Sequence, residues 1–166
     1  MISVVIPTLN SAATLAEALG ALIPAAVDAL VREVVIADGG STDDTFDIAD
    51  DAGARFISAE GDRAALIASG CAEAKGPWLL ILHPETRLGS EWMAAAKAHV
   101  ADYPKAAGYF RLALDDPGAM ARLKEAGAAV FGRAGGEQGL LVPKALYEAG
   151  GAKRSRPLPA RAFRLA

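Results

Sequence analysis

An aspartate at the end of a short apolar run, followed by two glycines and then by hydroxyl and acid residues, is well suited to hold a polar ligand. It occurs at Val34-Val35-Ile36-Ala37-Asp38-Gly39-Gly40-Ser41-Thr42-Asp43-Asp44-Thr45. The glycine pair lets the backbone turn tightly or approach a ligand closely. Ser41 and Asp44, three apart, have the spacing of a capping box that opens a helix. Asp38 is then either aimed at solvent from a rigid strand end or used to tie down the loop that it begins. Two other apolar runs also end in polar groups, one in Pro7-Thr8-Leu9-Asn10 and one in His83-Pro84-Glu85-Thr86.

These groups meet only if the runs are parallel strands of one sheet, because the carboxyl ends of parallel strands share an edge and ligands bind in open α/β sheets at that edge. Continuous Val, Ile and Leu runs read as strands buried on both faces. The expected strands are Ser3–Ile6 (closed by Pro7), Arg32–Asp38, Ala54–Ser58, Trp78–Leu82, Ala107–Leu114 and Leu140–Val142. Between them the spacing predicts helices at Ala12–Leu30 (kinked or divided at Pro24), Thr42–Ala52, Asp62–Lys75, Glu91–Ala101, Pro117–Phe131 and Pro143–Ala149. Asn10, Ser11 or Thr14 is expected to cap the first helix, Thr14 forming a second capping-box pair with Glu17. Such alternation specifies an α/β fold with a mainly parallel sheet and helices on both faces.

The chain has 166 residues, 52% of them apolar, and a net charge of −3, which suits one domain with a full core. No apolar run reaches the roughly 18 residues of a membrane span. The opening Met1-Ile2-Ser3-Val4-Val5-Ile6 enters a strand without a basic region, so neither a signal peptide nor an anchor is expected. Cys71 is the one cysteine; it suits a reducing cytoplasm and a small core position in a helix. Residues 1–151 form the expected domain, and 152–166 a basic tail carrying Lys153, Arg154, Arg156, Arg161 and Arg164. Such a tail suits an anionic membrane surface, an acidic partner or simply a solvated terminus. The acidic body argues against nucleic acid as the principal partner. No Gly-x-Gly-x-x-Gly follows the first strand, which counts against a dinucleotide-dependent oxidoreductase.

On Ile2 to Asn10, Val34 to Thr45, Gly53-Ala54-Arg55, Leu79 to Leu88, and Gly136-Glu137-Gln138-Gly139 with Ala145 to Gly151, the chain resembles the family 2 glycosyltransferases, in particular a small bacterial subgroup. The resemblance implies a GT-A fold, a nucleotide-sugar donor, commonly UDP-linked, and inverting transfer of the sugar to an acceptor hydroxyl. It sets Pro7, Thr8, Asn10, Asp38, Ser41, Asp43 and Arg63 around the nucleotide, with Asp38 on the base and Arg63 on the diphosphate. The family's D-x-D or H-x-D triplet, which holds Mg2+ or Mn2+, falls on His83-Pro84-Glu85, with Glu85 the favoured ligand and His83 the lesser. The family's acidic pair beyond a Gly-Gly motif falls on Ala160 and Arg161, so the expected base is missing. Glu137 is the nearest alternative acid, in a loop where it could equally be solvated. A degenerate relative that binds nucleotide or a partner without transfer is the competing expectation.

Overall fold

The structure is a computed structural model that describes residues 1–112, 139–150 and 155–164. Eight strands, β1 (Ile2–Thr8), β2 (Val31–Asp38), β3 (Arg55–Ser58), β4 (Trp78–Ile81), β5 (Thr86–Leu88), β6 (Ala107–Leu112), β7 (Leu140–Pro143) and β8 (Ser155–Arg164), form one sheet in the order β3-β2-β1-β4-β7-β6-β8-β5. β3, β2, β1 and β4 are mutually parallel. β7 runs against β4 and β6, β8 runs parallel to β6, and β5 runs against β8. Thus among the described strands only β7 and β5 oppose the direction of the others, and the sheet is mainly parallel.

Six described helices flank it: α1 (Ala12–Gly20), α2 (Ile23–Val27), α3 (Thr45–Asp51), α4 (Arg63–Glu73), α5 (Trp92–Asp102) and α6 (Lys144–Glu148). Alternation along β1 explains the three layers. Ile2, Val4 and Ile6 join one cluster with Leu15 and Leu19 of α1, Ala49 of α3 and Trp92 of α5. Val5 joins a second cluster with Cys71 of α4, Leu79, Ile81 and Val142, against which Leu146 and Tyr147 of α6 pack. A strand so enclosed reads as an unbroken apolar run, and each fully buried Val, Leu or Ile contributes about 1.5 to 3 kcal/mol. Cys71 is buried as expected, and burial pushes its thiol up to about 11.

Several boundaries differ from expectation for identifiable reasons. Pro7 does not close β1, because the ladder with β2 continues through Pro7 and Thr8. It has the same strand parity as Val5, whose carbonyl accepts the Leu82 N–H on the β4 side, and β4 has already ended there, so the missing proline N–H deprives no partner. The expected first helix is two, α1 and α2, with Pro24 in the first turn of α2, where a proline is tolerated. Thr14 and Glu17 lie inside α1, not at its start, and the N–H of Ala12 is satisfied by Asp43 Oδ2 from another loop at 3.0 Å. β5 is an unexpected short strand, formed because the turn after β4 sends the chain back along β8.

The larger departure is at the C-terminus, where a solvated basic segment was expected and a ten-residue strand lies between β6 and β5. Leu158, Ala160 and Ala162 are buried at 4%, 3% and 0% exposure. The Pro-x-Pro spacing hid this strand, since proline ordinarily argues against a ladder. Arg156 stacks over the Tyr103 ring at 4.5 Å from its centroid. The expected helix Pro117–Phe131, the glycine-rich loop with Glu137, and Gly151, Lys153 and Arg154 lie outside the described residues. Among the described residues no helix is long and apolar enough to cross a membrane.

Candidate functional site

Parallel order brings the three polar strand ends to one edge. Thr8 and Asp38 are register partners at the ends of β1 and β2, and β4 ends beside them just before Leu82 and His83. The two loops that leave β1 and β2 are stitched together. Asn10, at φ +50°, donates its N–H to Ser41 Oγ at 2.7 Å and accepts the Thr42 N–H on its side-chain oxygen at 2.9 Å. The Gly39 N–H reaches the Thr8 carbonyl at 2.9 Å. Asp43 spans both helix starts, with Oδ2 on the Ala12 N–H and Oδ1 on the Thr45 N–H and hydroxyl. Thr45, fully buried, in turn accepts the Ser11 N–H at 2.9 Å. Thr45 is a functional position not expected from the sequence, although a hydroxyl at the first position of a helix, two residues after an aspartate, is a signal for it.

Asp38 is not aimed at solvent. It is 3% exposed, and its carboxylate is fully engaged: Oδ1 accepts from the Thr8 hydroxyl at 2.8 Å and the Ser41 hydroxyl at 2.5 Å, and Oδ2 from the N–H groups of Gly40 at 2.9 Å and Ser41 at 2.7 Å. A carboxylate offers about four lone-pair sites, so the loop uses them all. Burial alone would raise this carboxyl, but the bonds from Ser41, Thr8 and Gly40 outweigh it and hold the group below the ordinary aspartate range. Ser41 therefore serves Asp38 and Asn10, and it is not the cap expected at the start of α3, where Asp44 holds the N-cap position. Gly40 makes the turn at φ +98°, a conformation that suits glycine.

The second wall is the start of α4. Gly70 lets this helix lie directly on β1 and β2, since a Cβ there would stand 2.5 Å from Val5 Cγ1. Asp62 caps the helix by accepting the Ala65 N–H at 2.9 Å, and Arg63 is its first residue. From there Arg63 Nη1 reaches His83 Nδ1 at 3.0 Å. His83, buried at 5% exposure, starts a turn closed by the Thr86 N–H on its carbonyl at 3.0 Å, with Pro84 at the position where proline's fixed φ suits a turn. Glu85 follows, half-buried, with Oε2 3.8 Å from His83 Nδ1. Arg63, His83 and Glu85 are thus brought together at the sheet edge that also holds the Thr8 and Asp38 loop. Pro7 lies buried beneath this edge in β1.

Among the described residues no three His, Cys, Asp or Glu side chains gather as a ready metal cage. The donor set nevertheless fits a hard divalent cation of the Mg2+ type, which is commonly held by one or two carboxylates together with substrate phosphates and water. Glu85 supplies such a carboxylate, whereas His83 turns Nδ1 toward Arg63. Further along the edge, Gly139, at φ +74°, leads into β7 against Leu82 and Phe110, where a Cβ would stand 2.9 Å from Leu82 Cδ2. Glu137 lies just outside the described residues. The segment set opposite the family's acidic pair is inside β8: Ala160 is buried and Arg161 pairs in register with Arg111. β8 ends with Arg164 in register with Thr86, next to the Glu85 turn.

The model of the family described as Glycosyl transferase family 2 matches residues 3–138. The chain belongs to that family. Of solved structures, TarS 1-349 of S. aureus superposes with a TM-score of 0.74 at 15% identity, covering 99% of this chain and 60% of that one. Glucosyl-3-phosphoglycerate synthase from Mycobacterium tuberculosis in complex with Mn2+, UDP and phosphoglyceric acid superposes at 0.67 with 17% identity, over 95% of this chain and 67% of that one. A curated glucosyl-3-phosphoglycerate synthase of the same species is 48% identical over 59 residues, which are 36% of this chain and 18% of the relative. The family 2 chain described here therefore spans about 60% of the TarS chain and matches a smaller part of the curated relative. Its fold is the GT-A α/β/α arrangement that these transferases share.

Proposed function

We propose that this chain is the donor-binding domain of a glycosyltransferase that moves a sugar from a nucleotide-diphosphate sugar, UDP-linked, to an acceptor hydroxyl with inversion. The observation that carries this reading is the meeting of Arg63 and Glu85 at His83, on the carboxyl edge of parallel strands beside a hydrogen-bonded polar loop. A guanidinium suits a diphosphate because its fork donates paired, charge-assisted bonds. Pro7, Thr8, Asn10, Asp38, Ser41 and Asp43 form the nucleotide wall. Within it Asp38 shapes the loop, and base recognition falls to groups that the loop presents, because the carboxylate has no acceptor site left. Mg2+ or Mn2+ held by Glu85 would neutralise charge on the diphosphate.

In the transfer, the acceptor oxygen bonds to the anomeric carbon as the bond from that carbon to the diphosphate breaks, and the leaving electron pair stays on the diphosphate. The transition state has oxocarbenium character, so positive charge from Arg63 beside the leaving group favours it. A base must take the hydroxyl proton, and Glu137 is the acid assigned to that role.

The second reading, donor binding without turnover, is favoured by the buried Ala160 in β8, which supplies no acid where the family places its pair. Sugar-nucleotide turnover against a panel of acceptors separates the two. Transfer by the wild type that is lost in Glu85→Ala and Glu137→Ala supports the enzyme. Donor binding with no turnover on any acceptor supports the second reading, since a general base typically contributes about 10² to 10⁴ in rate.

A further inference from the structure

We infer that His83 is a positioning residue for Arg63 rather than a metal ligand; this rests on the donor-binding reading above. Arginine has five N–H donors and no acceptor, so in the 3.0 Å contact between Arg63 Nη1 and His83 Nδ1 the imidazole nitrogen must accept. Nδ1 therefore carries no proton, and the neutral ring carries its proton on Nε2. A ring in that state offers no lone pair to a cation: the one on Nδ1 is occupied by Arg63, and Nε2 holds a proton. The separation of 3.8 Å between Nδ1 and Glu85 Oε2 is then proximity without a hydrogen bond, because neither atom has a proton to give.

The surroundings make this contact an anchor. His83 is 5% exposed and fixed at the start of a closed turn, whereas Arg63 is an exposed side chain at the first residue of α4. A long arginine on a helix end samples many rotamers, and a buried acceptor that selects one of them removes that freedom before the ligand arrives. The same nitrogen that holds the guanidinium lies 3.8 Å from Glu85 Oε2. The first position of the family's metal triplet thus contributes by aligning a cationic side chain, and the carboxylate at its third position is left to meet the metal alone.

Two measurements test the inference. In the ligand-free protein, long-range 1H–15N correlation of the two histidine rings should show His83 unprotonated at Nδ1 and protonated at Nε2; a proton on Nδ1 would overturn it without reference to any nucleotide. Calorimetry with UDP and with uridine, at fixed Mn2+, then measures the function of the contact. His83→Leu should weaken UDP about tenfold, the scale of a charge-assisted hydrogen bond, and leave uridine unchanged. His83→Asn, which restores an acceptor oxygen close to the position of Nδ1, should recover most of the loss. In an Arg63→Ala background His83→Leu should have no further effect, because coupled residues are not additive. An equal loss in that background, or a loss for uridine as large as for UDP, would overturn the inference while leaving donor binding intact. A wild type that binds no UDP at all would overturn the donor-binding reading and this inference together.

Discussion

Thr8 and Asp38 end adjacent parallel strands as register partners, and the Thr8 hydroxyl donates to Asp38 Oδ1 at 2.8 Å. That bond joins the two loops on which the proposed nucleotide wall is built. Because Asp38 also accepts from Gly40 and Ser41, Asp38→Asn would turn an amide NH2 toward groups that donate. The expected result is a loss of about 2 to 3 kcal/mol in stability, the worth of hydrogen bonds to a charged acceptor. Urea unfolding of the variant measures it; a change below a few tenths of a kcal/mol would mean that the carboxylate does not hold the loop.

Acid should loosen the same loop. Burial raises Asp38 and Glu33, but hydrogen bonds outweigh it in both, those of Glu33 coming from the Ser3 hydroxyl and the Lys75 N–H, so each folded value lies below the ordinary one. Such groups contribute stability that is complete above their unfolded values, near pH 4, and lost as pH falls through the lower folded values. Stability should accordingly be flat above about pH 5 and decline below about pH 4. Asp38→Asn should show a shallower decline than the wild type in chemical denaturation followed across pH.

Gly70 sets how closely α4 lies on the sheet. A methyl there would stand 2.5 Å from Val5 Cγ1, so Gly70→Ala must push the helix outward or force Val5 from its place. Overpacking of this kind costs about 1 to 3 kcal/mol. Because α4 carries Arg63, UDP affinity should fall along with stability, and calorimetry beside urea unfolding checks both.

The C-terminal strand yields a sharper contrast. If residues 155–164 were a solvated tail, Leu158→Ala would be nearly neutral. With Leu158 at 4% exposure inside β8, the expected loss is about 2 to 5 kcal/mol, read from the shift of the urea midpoint.

The parallel half of the fold was legible because its strands are buried on both faces, and burial on both faces is what makes an unbroken apolar run. The meeting of Pro7-Thr8, Asp38 and His83 at one edge followed from that order alone. The function of Asp38 and Ser41 was not legible, since a carboxylate filled by four donors and one facing solvent have the same local sequence. Register decides between them, and register is set by β1 and β2 across thirty residues. β8 was hidden because its prolines and arginines resemble a disordered tail, and its burial depends on β6 and β5, which are distant in the chain. The contact between Arg63 and His83 was equally invisible: a strand-end histidine with a carboxylate two residues on has the spacing of a ligand, and only the arrival of α4 occupies its nitrogen.

The central claim, that this edge binds a nucleotide diphosphate through Arg63 and a metal at Glu85, is tested most directly by calorimetry of UDP with and without Mn2+. The wild type should bind UDP, and more tightly with Mn2+. Arg63→Ala should lose about 1.5 to 3 kcal/mol, the worth of a hydrogen bond with a charged partner, and Glu85→Ala should lose the Mn2+ enhancement. UDP binding that is indifferent to Mn2+ and unchanged in both variants, or no UDP binding under any condition, would contradict it.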